Sequence, residues 1–130
     1  MFDKIRILVG ADGSVQSRKA LKEAITIAQH FSGFVKVVTI YEKGAERKAE
    51  TTVKDAQQAL MQEMTTASYE VSAVPGSSPA KALTAIAKQE NFDLIVIGSR
   101  GLGDKVSLLL GSVSKQVVAN AQCNVLVVKK

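Results

Sequence analysis

The sequence predicts an α/β fold: an open, doubly wound five-stranded parallel sheet with helices on both faces. Three observations carry this expectation. Apolar residues switch repeatedly between short strand-like runs and a helical period along the whole chain. Leu94, Ile95, Val96 and Ile97 are apolar without interruption, as are Val125, Leu126, Val127 and Val128, which suits strands buried on both faces of a parallel sheet. Glycine also stands at the end of the first and fourth apolar runs, as Gly10 and Gly98.

Each element follows in order. Ile5, Ile7, Leu8 and Val9 form a strand that stops at Gly10, and Ser14 or Ser17 then caps a helix carrying Leu21, Ala24, Ile25, Ala28 and Phe31 at helical spacing. After a turn at Ser32 and Gly33, residues 34–41 are rich in β-branched side chains and make the second strand. A polar stretch through Gly44 leads to a second helix with Val53, Ala56, Leu60, Met64 and Ala67 on one face. Residues 69–74 read as the third strand, closed by Pro75 and Gly76; Pro79 opens a third helix striped by Ala82, Leu83, Ile86 and Ala87. The fourth strand ends at Gly98, a glycine-bearing loop covers residues 99–110, and a last helix opens at Gly111 and Ser112 before the final strand.

Right-handed crossovers leave two strand orders, 3-2-1-4-5 and 2-1-3-4-5, between which periodicity does not choose. Ligands in such folds sit beyond the carboxyl ends of the strands, where the winding reverses. In the first order that point lies between strands one and four. Those strands precede the two most unusual loops, Gly10-Ala11-Asp12-Gly13-Ser14 and Gly98-Ser99-Arg100-Gly101, and the coincidence favours 3-2-1-4-5.

At 130 residues the expectation is one domain, 1–130. A hydrophobic fraction of 46% with only two prolines excludes disorder and fibrous repeats. No apolar run approaches the roughly 18 residues that span a bilayer, and the first residues lead straight into a strand pattern, so a cytoplasmic protein without membrane contact is expected. The single cysteine, Cys123, excludes an internal disulfide and a multi-cysteine metal cage and reads as a small hydrophobe. The net charge of +5 is divided between positive ends and a negative middle, residues 42–70, which hold four basic and six acidic side chains. Nucleic-acid binding calls for clustered cations interleaved with aromatics; aromatics are 5% here and no block of like charge occurs, so a phosphate-bearing small ligand suits the charge better.

Gly98, Gly101, Gly111 and Ser112 stand in the pattern G-x2-G-x9-G-[ST], which chance produces in such a chain on the order of once in two hundred and which therefore carries weight. Glycines let the backbone approach a phosphate, and a helix opening at Gly111-Ser112 offers free N–H groups and a hydroxyl to phosphate oxygens. A Walker loop needs a lysine after its second glycine, and the dinucleotide fingerprint needs the reverse of the spacing of Gly98, Gly101 and Gly103, so both classes fall away. The bland alternative is a strand end, a turn and a capped helix.

These residues resemble the universal stress protein family: ILVGADGS at 7–14, Ser17 with Ala20 and Leu21, DLIVIGSRG at 93–101, LGSVS at 110–114 and CNVLVV at 123–128. The resemblance spans both ends of the chain. It implies the 3-2-1-4-5 sheet, homodimerisation and, for members with the intact glycine pattern, binding of ATP, with or without Mg²⁺. On the same ground Asp12 contacts the nucleoside, Ile40 flanks the adenine, and Gly98, Arg100, Gly101, Gly111, Ser112, Val113 and Ser114 form the phosphate and ribose side, with Gly10, Ala11 and Ile97 completing the implied set. Two departures stand out: Asn124 replaces a proline common before the last strand, and Asp104 places a carboxylate in the phosphate loop.

A phosphate-accepting receiver domain is disfavoured, because Asp12 has only Ala11 and Gly13 beside it and the third strand ends at Val74-Pro75 without further carboxylates. His30 suits a solvated place near a helix C-terminus, and Met61 and Met64 read as core or interface filler. Three functions compete: a nucleotide-binding regulatory module, a slow ATP hydrolase, and a dimeric interaction protein that binds no nucleotide. The loops offer Asp12, Asp104, Arg100 and Lys105 but no histidine and no P-loop lysine, which favours binding over phosphoryl chemistry. In the order 3-2-1-4-5 the apolar strand from Val125 to Val128 lies at an edge, and pairing with its twin across a two-fold axis would close it.

Overall fold

The computed structural model describes residues 4–99 and 110–129. Within them the elements run β1 (Arg6–Gly10), α1 (Val15–Phe31), β2 (Phe34–Tyr41), α2 (Glu46–Glu63), β3 (Ser68–Pro75), α3 (Pro79–Gln89), β4 (Leu94–Gly98), α4 (Ser112–Asn120) and β5 (Asn124–Val128). The five strands form one parallel sheet in the order β3-β2-β1-β4-β5. Of the two orders the sequence allowed, this is the one its glycine loops favoured.

The strand period of two divides the core cleanly. Ile7, Val9, Val35, Val37 and Val96 face α1 and α2, where Ala20, Leu21, Ala24, Ile25, Ala56 and Leu60 cover them. Leu8, Val38, Ile95 and Ile97 face the other way, onto Ala80, Leu83, Ala87 and Val117 of α3 and α4. Most of these side chains are wholly shielded, and each large one contributes about 1.5 to 3 kcal/mol. Among the described residues no helix is long and apolar enough to cross a membrane.

Local chemistry sets the boundaries. Ser14 caps α1, its hydroxyl accepting the Ser17 N–H at 3.1 Å, and Ser32 ends that helix in the left-handed region at φ 49°. Phe31, expected to pack, is 65% exposed because it is the last residue before that reversal. The second helix stops at Glu63, short of the sequence expectation: the Gln29 side-chain oxygen accepts the backbone N–H groups of Thr65 and Thr66 and draws the chain off the helix axis. Its buried stripe is Ala49, Thr52, Ala56 and Leu60, with Met64 a buried C-cap, Ala67 in the link to β3, and Met61 at 69% exposure no core filler. Pro75 is the last residue of β3. The neighbouring Gly76 N–H turns inward to the Tyr41 carbonyl, so the proline nitrogen faces the open edge, where no donor is needed.

The amino ends of the strands are closed by a compact charged and aromatic cluster. The Arg6 guanidinium lies 5.0 Å from the Phe34 ring centre and 4.7 Å from that of Phe92, and its Nε donates to the Glu90 carbonyl. Asp93 accepts the Arg6 backbone N–H at 2.9 Å, and the Lys36 ammonium reaches both Glu90 carboxylate oxygens.

Candidate functional site

At the carboxyl ends of the strands the winding reverses between β1 and β4: the chain leaves β1 for α1 on one face, and the α4 that follows β4 lies on the other. Sheet and helices part there, and a cavity of about 330 Å³ remains. Gly10, Ala11, Asp12, Ile40, Ile97, Gly98, Gly111, Ser112, Val113 and Ser114 all line it. Ten of the twelve residues singled out in the sequence therefore meet in one place; Arg100 and Gly101 lie outside the described residues, as do Gly103, Asp104 and Lys105.

One wall is apolar. Val38 and Ile40 come from β2, Ile97 from β4, and Pro79 and Leu83 from the start of α3. Gly10 keeps this wall close, because a Cβ on it would stand 2.7 Å from the Leu83 Cδ1 and 3.3 Å from the Ile97 Cγ2, and the Leu83 side chain would have to shift. The wall also carries backbone donors and acceptors. Phe34 N–H donates to the Ile5 carbonyl and the Val38 carbonyl accepts the Ala11 N–H, so the even-numbered residues of β2 turn their peptide groups toward β1. Pairing with β1 ends at Gly10 opposite Val38, and the Ile40 N–H and C=O project past that end, toward the cavity.

The other wall is polar and is built by the start of α4. Gly111 is its N-cap, and the first-turn N–H groups of Ser112, Val113 and Ser114 have no carbonyl within the helix to receive them. The Gly111 N–H, expected to be free for a ligand, is not: it donates to the Ser99 carbonyl at 2.7 Å. The Ser114 hydroxyl, also expected on a ligand, donates to that same carbonyl at 2.7 Å and is buried. Ser99 thus holds α4 against the end of β4, while Ser112 is exposed at the cavity mouth. Gly98 has a packing role as well: a Cβ there would stand 2.9 Å from the Gln16 Cβ and 3.0 Å from the Gln16 carbonyl carbon, so α1 approaches the strand end as closely as glycine permits.

Asp12 sits between the walls, exposed, with one carboxylate oxygen accepting the Ser14 N–H at 2.9 Å in a turn of the Asx type. It is the sole titratable side chain among the described residues lining the cavity, and no group of three potential metal ligands occurs among the described residues. Sequence reasoning missed Val38, Pro79, Leu83 and Ser99 as cavity residues, and took Ser17 as a helix cap and a family landmark without placing it in the cavity. Val38 was within reach, since it shares the side-chain face of Ile40 two residues on. Cys123 packs on the core beneath α3 and α4, and burial pushes its thiol above the usual value, as expected of a hydrophobe.

Comparison with known proteins agrees with this architecture. The model of the universal stress protein family matches residues 5–129. A relative from Thermus aquaticus, named "Universal stress protein in QAH/OAS sulfhydrylase 3'region", is 35% identical over 95% of this chain and 97% of its own length. Universal stress protein MJ0531 of Methanocaldococcus jannaschii is 33% identical over 96% of this chain and 82% of its own. Among solved structures, a universal stress protein in complex with cAMP superimposes with a TM-score of 0.81 at 28% identity, covering 98% of each chain. One from Archaeoglobus fulgidus in complex with dAMP gives 0.75 at 22%, likewise covering 98% of each. Some structural relatives thus bind adenine nucleotides. The chain belongs to the universal stress protein family.

Proposed function

We propose that this protein binds an adenine nucleotide, ATP, in the cavity between β1 and β4, and that it works as a homodimeric regulatory module of the stress response. The observation that carries the reading is the pairing of an apolar slot with a helix N-terminus in one cavity at the switch point, matching the two chemical halves of a nucleotide. The adenine ring packs among Val38, Ile40, Leu83 and Ile97, with its polar edge on the Ile40 peptide groups; Asp12 accepts from the ribose hydroxyls. The phosphates meet the first-turn N–H groups of α4 and the Ser112 hydroxyl, with Arg100 and Gly101 assigned to the same side by the family motif. The reading takes binding over phosphoryl chemistry, since the sequence offers no P-loop lysine after either glycine cluster and no histidine in these loops.

Two measurements test this. Acid-released ligand from purified protein, identified by ultraviolet spectrum and mass, should be an adenine nucleotide, or the emptied protein should bind ATP in titration; neither result leaves an interaction protein without a nucleotide. The dimer forms through β5, an edge strand whose Val125–Val128 side chains are only partly covered. Val127→Pro should then give a folded monomer at micromolar concentration by light scattering, and an equally dimeric variant would place the interface elsewhere.

A further inference from the structure

Ser99 carries one group that nothing in the fold explains. The residue is 2% exposed and lines the cavity, its N–H donates to the Val128 carbonyl, and its own carbonyl takes both the Gly111 N–H and the Ser114 hydroxyl. Its backbone is fully used. Its hydroxyl oxygen, by contrast, is buried with no hydrogen-bond partner among the described residues, alone among their buried side-chain polar atoms. An orphaned hydroxyl is destabilising, and alanine would fill the position at no such cost.

We infer that the Ser99 hydroxyl is held in reserve for the ligand: it donates to a phosphate oxygen seated at the start of α4, a contact distinct from the first-turn N–H groups and from Ser112. Placement supports this, since the Ser99 carbonyl is within hydrogen-bonding distance of the α4 N-cap and the residue forms part of the cavity wall. Serine χ1 rotamers interchange cheaply, so a hydroxyl on the cavity wall can turn to a ligand seated there. The protein accepts a less stable empty state in exchange for an uncommitted donor in the cavity wall. Ser114 plays the opposite part. Its hydroxyl is already satisfied, and it acts as a positioning residue that fixes where α4 begins.

The inference rests on the nucleotide-binding reading, and a pair of variants separates the two. Ser99→Ala should raise the melting temperature of the nucleotide-free protein by about 3 to 5 °C and weaken ATP binding about tenfold, while leaving adenosine binding unchanged. Ser114→Ala should lower both the melting temperature and ATP affinity, and Ser114→Thr, which keeps the hydroxyl, should recover them. A Ser99→Ala protein that is less stable when empty, or binds ATP as tightly as the parent, or loses adenosine and ATP binding equally, overturns the inference. A parent that binds no adenine nucleotide overturns the underlying reading instead.

Discussion

The two ends of the sheet are built on opposite plans. At the amino ends of the strands Arg6 packs against the stacked rings of Phe34 and Phe92, Asp93 and Glu90 accept its donors, and Lys36 pairs with Glu90. At the carboxyl ends a cavity stays open, an α4 first turn points its N–H groups into it, and one buried hydroxyl goes unsatisfied. Cohesion is concentrated at one end, and the other is left open, as the proposed nucleotide site requires. The connections enforce this division, because each helix leaves a strand at the carboxyl end and there draws the chain apart.

The largest effect is expected at the stable end. Phe92 is 5% exposed and stacks with Phe34 at 6.2 Å between ring centres, so Phe92→Ala should cost about 3 to 5 kcal/mol in urea unfolding, while ATP affinity of the folded protein changes little. A large loss of affinity without a loss of stability would show that the two ends are not separate. A smaller effect sharpens the picture at the open end. Gly98→Ala presses a Cβ onto the Gln16 backbone and should cost about 1 to 3 kcal/mol. If Gly98 served only phosphate approach, that variant would keep full stability in denaturation and lose binding alone.

The fold was legible in the sequence to an unusual depth, since unbroken apolar runs, glycines at strand ends and helical stripes all pointed to one topology. The places it misled are physical. Met64 and Ala67 continue the helical period past Glu63, and a tertiary bond from Gln29 to Thr65 and Thr66, which no local pattern encodes, ends the helix there. At the site, Gly98 and Ser114 line the cavity as expected and carry structural roles besides, and these were not legible because a glycine that admits a phosphate and one that admits a helix look alike in sequence. The same holds for a hydroxyl that binds a ligand and one that ties down a loop. Leu83 was placed in the core, and its second surface, against Gly10 in the cavity, depends on the packing of α3.

The most direct test of the central claim is titration calorimetry of ATP into the emptied protein and into Gly111→Val, with circular dichroism on both. Gly111 has φ −72° and ψ 171°, an extended backbone that valine adopts without strain, and circular dichroism checks that the variant folds. On the proposed reading a branched side chain crowds the start of α4, where the phosphates would sit, and ATP affinity should fall at least about tenfold. A folded variant that binds ATP as tightly as the parent would contradict the account, because the start of α4 would then have no part in holding the ligand.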